Sequence, residues 1–291
     1  MKHYQVVHIG NYTKDTIIDK SGTRVVDGGG FNYGARATVS FMETVAVVTK
    51  LAEADAHVID NLQRWGIDTY PIPSPHSTAL TLHYYSDNPD ERKMSVQSLA
   101  DPFVQEDLAG ISADAYILAP SLKGEIPASL IAHLSNSGAL VAIDAQGYIR
   151  VVEDSTIVYE PWTEASTILP MVSILKVDIA EAAFLTGSDD RYEAVRRLYA
   201  MGAKEILLTW RDGALVHDGS AMYEEQFTYS QLLGRSGRGD TCISSYAAAR
   251  LSASIPDALK WSVALTSLKL EKEGPFDRSA QEVADLVRHA Y

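Results

Sequence analysis

Three glycines and an aspartate lie close together late in the chain, in the stretch from Gly234 to Thr241 (GRSGRGDT). Such a loop can turn sharply and approach a ligand closely. The run of small residues that follows, Cys242 to Ala249, predicts a helix, and a helix N-terminus offers unpaired N–H groups to an anion. An acid at that place is unsuited to simple anion binding. It fits a base, Asp240, that takes a proton from a hydroxyl while the neighbouring amides hold a phosphoryl group.

A structural alternative exists for this stretch when it is considered alone. Aspartate is a favoured N-cap, so a glycine turn capped by Asp240 is about equally consistent with an isolated G-x-G-D pattern. Two other features favour chemistry: three consecutive glycines early in the chain, Gly28 to Gly30, and the acidic sequence Asp178-Ile-Ala-Glu181 after a strand-like run.

Other patterns that carry chemistry are missing from the sequence. It has no Walker phosphate loop, no dinucleotide-binding fingerprint after the first strand, no zinc-protease pattern and no nucleophile elbow. The single cysteine, Cys242, has no partner for a disulfide or a zinc site and is typical of a reducing compartment. These gaps argue against a nicotinamide enzyme, a zinc enzyme and a serine hydrolase.

The composition limits the classes of partner that the protein is expected to bind. The 291 residues are 46% hydrophobic and carry a formal net charge of -13, which argues against binding to nucleic acid or to an anionic membrane. The apolar run after Met1 is too short for a signal peptide, and no apolar segment approaches the length that spans a membrane. We therefore expect a soluble, cytoplasmic protein.

Strand-like and helix-like segments alternate along most of the chain, which predicts an α/β fold with a mostly parallel sheet covered by helices on both faces. Two regions interrupt this alternation, about residues 12–27 and 77–97, and we expect them to form a small second sheet over the main one. Residues 104–111 are expected to be helical, and residues 67–75 and 145–162 to be irregular. No linker divides the chain, so we expect one domain over residues 1–291. Ligands of such folds bind at the carboxyl ends of the strands.

The sequence resembles the ribokinase (PfkB) family of carbohydrate kinases. The late signature of that family, D-T-x-G-A-G-D-x-F, falls on Gly234 to Cys242, and its early glycine pair falls on Gly28 to Gly30. The family's N-x-x-E corresponds to Asp178-Ile-Ala-Glu181, followed by Leu185-Thr-Gly187. The resemblance extends from about Ile9 to Gly274 and is strongest to the bacterial myo-inositol kinase branch. It implies a three-layer α/β/α sandwich with a small β lid.

The resemblance also implies roles for individual residues. Asp240 would be the general base, and the amides of Gly237, Arg238 and Gly239 would form the anion hole. Glu181 would help to hold Mg²⁺ through water, although a solvated carboxylate in the first turn of a helix is also favoured by the helix dipole alone. Asp15 and the glycines Gly28, Gly29 and Gly30 would bind substrate hydroxyls, although Asp15 is also a typical polar residue of a hairpin.

The chain departs from the family pattern at three places. Arg238 replaces a small residue of the anion-hole loop, where it either contacts a phosphate or pairs with a carboxylate. Asp178 replaces an asparagine next to the metal site. The nucleotide loop corresponds to Thr209 to Gly213, with Trp210 where a glycine is usual; Asp178, Thr209 and Gly213 are thus the candidates for contact with the donor.

Four further residues are candidates for the acceptor pocket. Asn32 is close to the position of the family's sugar-binding asparagine, as is Tyr33. Gln146 and Arg150 lie in a loop after a strand, where they either line the pocket or lie on the surface.

The function that follows is phosphoryl transfer from ATP, with Mg²⁺, to a hydroxyl of a sugar or cyclic polyol, with myo-inositol first among the acceptors. One alternative is a non-catalytic binding protein that keeps the kinase fold. Another is a nucleoside or sugar-phosphate kinase of the same family. In this family the lid strands can pair between subunits, so a homodimer through the lid is a further expectation.

Overall fold

A computed structural model describes residues 1–85 and 92–291. The segment expected to form the lid at 77–97 therefore falls in part outside the described residues. The strands are β1 (Lys2–Ile9), β2 (Thr13–Asp19), β3 (Gly22–Asp27), β4 (Val45–Leu51), β5 (Asp68–Pro73), β6 (Thr78–Tyr84), β7 (Arg92–Ser98), β8 (Ile111–Leu118), β9 (Leu140–Asp144), β10 (Arg150–Glu153), β11 (Thr156–Tyr159), β12 (Ile174–Asp178), β13 (Glu205–Trp210), β14 (Gly213–His217) and β15 (Met222–Gln226).

Helices fill most of the connections between these strands. They are α1 (Gly30–Thr38), α2 (His57–Gln63), α3 (Ala128–Ser135), α4 (Gln146–Ile149), α5 (Ala165–Ile168), α6 (Ile179–Thr186), α7 (Arg191–Ala200), α8 (Arg238–Ala249), α9 (Ile255–Leu270) and α10 (Ala280–Ala290). In the part of the chain that the structure describes, no helix is both long enough and apolar enough to cross a membrane.

The main sheet has the strand order β15-β14-β13-β12-β9-β8-β1-β4-β5. Its strands are parallel except at β14, which pairs antiparallel with both neighbours. Strand β4 is buried along its whole length, as expected for a strand covered on both faces. One apolar cluster packs α3 and α7 against one face of the sheet, and another packs α8 and α9 against the opposite face. The predicted three-layer α/β/α arrangement is thus confirmed.

A second sheet has the order β10-β11-β7-β6-β2-β3. Strands β2 and β3 form a hairpin in this sheet, with Asp19 opposite Gly22, and β7 pairs antiparallel with β6. The hairpin of β10 and β11 extends this sheet through a single register pair, Thr156 with Ser95. The expectation that residues 145–162 are irregular was therefore wrong.

Two other local expectations were wrong. Residues 67–75 contain β5, an edge strand that accommodates Pro71 and Pro73 because one side of an edge strand needs no N–H donors. Residues 104–111 form only one short 3-10 turn, Gln105–Leu108, instead of a helix. Gly110, at φ +80°, follows that turn, and β8 begins at the next residue.

Candidate active site

A cleft of about 870 Å³ lies between the second sheet and the carboxyl ends of the main-sheet strands. Of the candidate site residues from the sequence, thirteen line it: Asp15, Gly29, Gly30, Asn32, Tyr33, Gln146, Arg150, Asp178, Thr209, Gly237, Arg238, Gly239 and Asp240. The positions are widely separated in sequence, so the fold assembles them. Gly28, Glu181 and Gly213 lie outside this lining.

Asp240 is the third residue of α8, at the bottom of the cleft. Its Oδ1 is buried, and among the described residues it has no hydrogen-bond partner. Burial raises the pKa of the Asp240 carboxyl, although the charges of Lys176 and Arg150 act in the opposite direction. A buried carboxylate oxygen with no partner and a raised pKa is suited to accept a proton from a bound hydroxyl.

The loop before α8 is shaped by Gly237, which has φ +75° and packs against the ring of Tyr33. A side chain there would be strained by the backbone and would overlap that ring. The Thr241 N–H already donates to Gly237 O at 2.9 Å, and the Arg238 N–H donates to Arg235 O at 3.3 Å. The N–H of Gly239 also lies in the first turn of α8, where intrahelical acceptors are lacking, so it is available to bind an anion.

The early glycines lie between two carboxylates. A methyl group on Gly28 would overlap the carboxylate of Asp15, and one on Gly30 would overlap that of Asp240 and lie 2.7 Å from the Ala119 Cβ. The loop at the start of α1 can therefore touch both acids only because it has no side chains. Asp15 and Asp240 thus both lie against the same short glycine loop.

A buried cation lies directly behind the glycine loop. Lys176 Nζ is 2.9 Å from Asp144 Oδ2, its register partner on β9, and 2.8 Å from the point that a Cβ on Gly239 would occupy. Burial alone would lower the pKa of the Lys176 ammonium, but the carboxylates of Asp144 and Glu181 outweigh it and raise that pKa. The ammonium is therefore charged and close to any anion that binds at Gly239.

Glu181 is fully buried behind this cation. Its Oε2 accepts the Asp178 N–H at 2.8 Å, and its Oε1 lies 3.4 Å from Arg150 Nη2. Burial raises the pKa of Glu181 to about 7, against the effect of Lys176. Both oxygens are engaged, so Glu181 orients Arg150 and Lys176 but presents no oxygen to the cleft.

The fit of a magnesium ion can be tested against these contacts. Among the described residues, no group of three histidines, cysteines or acids could hold a metal by itself. Asp178 does line the cleft, with one oxygen capping α6. Because Mg²⁺ is commonly held by one or two carboxylates together with phosphate oxygens, Asp178 fits such an ion when the donor is bound, and Glu181 does not.

The expected nucleotide loop has an unusual packing. Thr209 lines the cleft at the end of β13, but Gly213 lies under the indole ring of Trp210, which a Cβ on Gly213 would meet at 2.7 Å. The Arg191 guanidinium stacks over the same ring at 4.4 Å. The indole therefore covers the turn where the family pattern has an open glycine loop.

The remaining candidates line the cleft, and some of their polar groups form hydrogen bonds within the protein. Asn32 donates from Nδ2 to Asp27 O at 3.2 Å, and the backbone N–H of Gln146 donates to Asp144 Oδ1 at 3.1 Å. Arg238 donates from Nη1 to Arg211 O at 3.5 Å. These contacts orient the residues at the rim and leave parts of them facing the cleft.

Sequence reasoning missed Lys176, Asp144 and the buried Lys269 at the loop. Each belongs to no local motif. The available signal was a charged residue next to a run of uncharged residues: Lys176 inside β12, Lys269 near the end of α9 and Asp144 at the carboxyl end of β9.

The pattern of the pfkB family of carbohydrate kinases matches residues 7–281. No curated protein matches. A sulfate complex of a pyrophosphate-dependent kinase in the ribokinase family is 33% identical, with a TM-score of 0.90 over 96% of this chain and 99% of that one.

Two further solved structures are 32% identical, each with a TM-score of 0.89 over 97% of this chain and 100% of the other. One is a pyrophosphate-dependent kinase of the ribokinase family with a pyrophosphate analogue and myo-inositol. The other is a pyrophosphate-dependent myo-inositol-1 kinase that two substitutions to leucine convert into a myo-inositol-3 kinase.

Proposed function

Because the chain belongs to the pfkB family of carbohydrate kinases, and is thus a carbohydrate or polyol kinase, we propose that it phosphorylates myo-inositol with pyrophosphate as the donor. The observation that carries the proposal is the unpartnered Oδ1 of Asp240 at the first turn of α8. A proton acceptor and an anion-binding helix end meet there, beside the glycine loop that contacts Asp15.

In the proposed reaction, Asp240 takes the proton of an acceptor hydroxyl as that oxygen attacks the terminal phosphorus of the donor. The bond from this phosphorus to the bridging oxygen breaks, and orthophosphate leaves. The amide of Gly239 and the ammonium of Lys176 stabilise the charge on the transferred group. Such transfer depends mainly on positioning and charge neutralisation.

Magnesium would be held by Asp178 together with oxygens of the donor. It would neutralise part of the donor's charge. The side chains of Lys176, Arg150 and Arg238 contribute positive charge at the same end of the cleft, and the first two are nearly buried.

Pyrophosphate is proposed ahead of ATP for two reasons. The similar structures at 32–33% identity are of pyrophosphate-dependent kinases. In this chain, Trp210 covers the turn at Gly213 where the family pattern has an open nucleotide loop. ATP, which the family resemblance implied, is the competing donor.

The lid supports a proposal for the hydroxyl that is phosphorylated. Leu82 and Met94 face each other across β6 and β7 and both line the cleft. Their spacing along the chain matches, to within one residue, that of the two positions whose change to leucine turns a myo-inositol-1 kinase into a 3-kinase. This apolar pair favours transfer to the 3-hydroxyl.

The test is a matrix of donors and acceptors with the purified protein. Pyrophosphate and ATP are each combined with myo-inositol, fructose, ribose and a nucleoside, and product is followed by phosphorus NMR. We expect the highest kcat/KM for myo-inositol with pyrophosphate. A preference for ATP would overturn the donor, and a preference for another acceptor would overturn the polyol. Binding of donor and acceptor without turnover in any combination would favour the non-catalytic alternative.

A further inference from the structure

Lys269 is a charged residue buried next to the glycine loop. It lies in the last turn of α9 and is 2% exposed. Its Nζ donates to Gly234 O at 2.5 Å and to Ser236 O. The two carbonyls lie on either side of Arg235, immediately before the turn at Gly237. The ammonium therefore joins the last turn of one helix to the loop that forms the first turn of another.

No carboxylate among the described residues forms an ion pair with this ammonium. The ring of Tyr33, on α1, lies with its centre 5.4 Å from Nζ. Burial lowers the pKa of Lys269 to about 8. The charges of Asp240 and Glu273 act to raise the pKa of Lys269, and that of Arg238 acts to lower it. Burying a charge without a paired anion is unfavourable. A buried cation that is held mainly by carbonyl dipoles therefore indicates a function for its charge.

The neighbouring backbone is fixed to the same helix end. The N–H groups of Leu233 and Gly234 both donate to Leu270 O at 2.9 Å. A side chain on Gly234 would overlap Lys272 O. The segment from Leu233 to Ser236 is thus tied to the end of α9 by two N–H donors and by two carbonyl oxygens that accept from Lys269.

We propose that Lys269 is a positioning residue that acts as a tethered monovalent cation: its ammonium draws two loop carbonyls together and so sets the anion hole at Gly237 to Gly239. Carbonyl oxygens gathered around one positive charge are also the ligands that a free potassium or ammonium ion prefers. The enzyme consequently needs no added monovalent cation. If the side chain is removed, a small free cation can occupy the vacated place.

This inference rests on the proposed function only for its activity arm. Lys269→Ala leaves a cavity between the two carbonyls, whereas Lys269→Met fills most of the space without charge. Activity is measured at constant ionic strength in tetramethylammonium, ammonium or potassium chloride. We expect the wild type to be indifferent to the salt. The alanine variant should lose about 100-fold in kcat in tetramethylammonium, as for the loss of an anion-hole donor, and recover at least about tenfold in ammonium or potassium. The methionine variant should not recover.

A second measurement needs no activity. The melting temperature of each protein is followed in the same salts. We expect ammonium or potassium to raise it for Lys269→Ala relative to tetramethylammonium, but not for the wild type or Lys269→Met. An alanine variant whose melting temperature and activity respond to no cation would overturn the proposal, even if the kinase activity is confirmed. A cation response in melting without any turnover would support it while the proposed function failed.

Discussion

At the scale of the residue, Arg238 is the side chain that the general mechanism does not require. It lies in the first turn of α8, lines the cleft and contacts Arg211 O. We expect Arg238→Ala to lower kcat by about 100-fold and to change KM much less, because its charge would act mainly on the transferring group. Steady-state kinetics with pyrophosphate and myo-inositol give both constants.

The matched control for that variant is Arg211→Ala. Its side chain is 73% exposed and lies outside the cleft lining, although its carbonyl contacts Arg238. It should leave kcat unchanged. An Arg238→Ala enzyme with the kcat of the control would reduce Arg238 to a structural contact.

The site residues that the sequence could indicate are those that form a recognisable pattern with their neighbours in the chain. Asp240, the late glycines and Gly28 to Gly30 form contiguous patterns, because helix ends and glycine turns are local structures. Lys176, Asp144 and Lys269 could not be found that way. Each acts through a partner on another element, such as Asp144 on β9 for Lys176 and the loop carbonyl of Gly234 for Lys269.

At the scale of the element, the main sheet was predictable, and parts of the lid were not. The β10–β11 hairpin was missed because its two-residue turn is Asp154-Ser155, with φ of 47° and 61°. A turn with two positive φ values normally contains asparagine or glycine, so the usual signal was absent. Strand β5 was missed because Pro71 and Pro73 normally argue against a strand, and edge strands are the exception.

The lid carries a prediction about the product. We expect the double variant Leu82→Asn with Met94→Ser to shift phosphorylation from the 3-hydroxyl of myo-inositol towards the 1-hydroxyl. The apolar pair lines the cleft, and polar groups in its place would favour the other orientation of the inositol ring. The two products are mirror images, so the assay is chiral chromatography of the inositol phosphate.

His83→Asn is the control for the lid. His83 adjoins Leu82, is exposed and lies outside the cleft lining. It should keep the product of the wild type. An unchanged product from the double variant, or a 1-phosphate from the wild type, would contradict the assignment of the lid pair.

At the scale of the whole molecule, positive side chains at the cleft must offset the negative net charge of the chain for an anionic donor to bind. The chain has a net charge of -13, which repels a multiply charged anion at long range. Arg150, Lys176 and Arg238 concentrate positive charge at the cleft, with further support from the α8 N-terminus. Donor binding therefore depends on this small region and not on the overall field.

Stability should depend on pH through His8, which is fully buried in β1 and bonded to Thr38 Oγ1 at 2.9 Å. Burial lowers the pKa of His8 from 6.5 to about 3. Between these two pH values the unfolded chain binds a proton that the folded chain does not. His8 therefore makes the free energy of unfolding fall, by up to about 1.4 kcal/mol per pH unit, as the pH drops below 6.5.

Urea denaturation at several pH values measures this contribution. We expect His8→Asn to have a shallower decrease than the wild type over that window, even if it is less stable at neutral pH. The control, His3→Asn, removes a histidine whose side chain is 58% exposed and should leave the slope unchanged. Equal slopes in all three proteins would mean that His8 is not the group responsible.

The central claim is that Asp240 is the base of a phosphoryl transfer. The most direct measurement is kcat of Asp240→Asn with pyrophosphate and myo-inositol, beside calorimetric binding of the same ligands. Asparagine keeps the shape of the side chain but cannot accept the proton as a carboxylate does. We expect a loss of about 1,000-fold or more in kcat, with binding and melting temperature close to those of the wild type. Turnover within about tenfold of the wild type, in a folded variant, would contradict it.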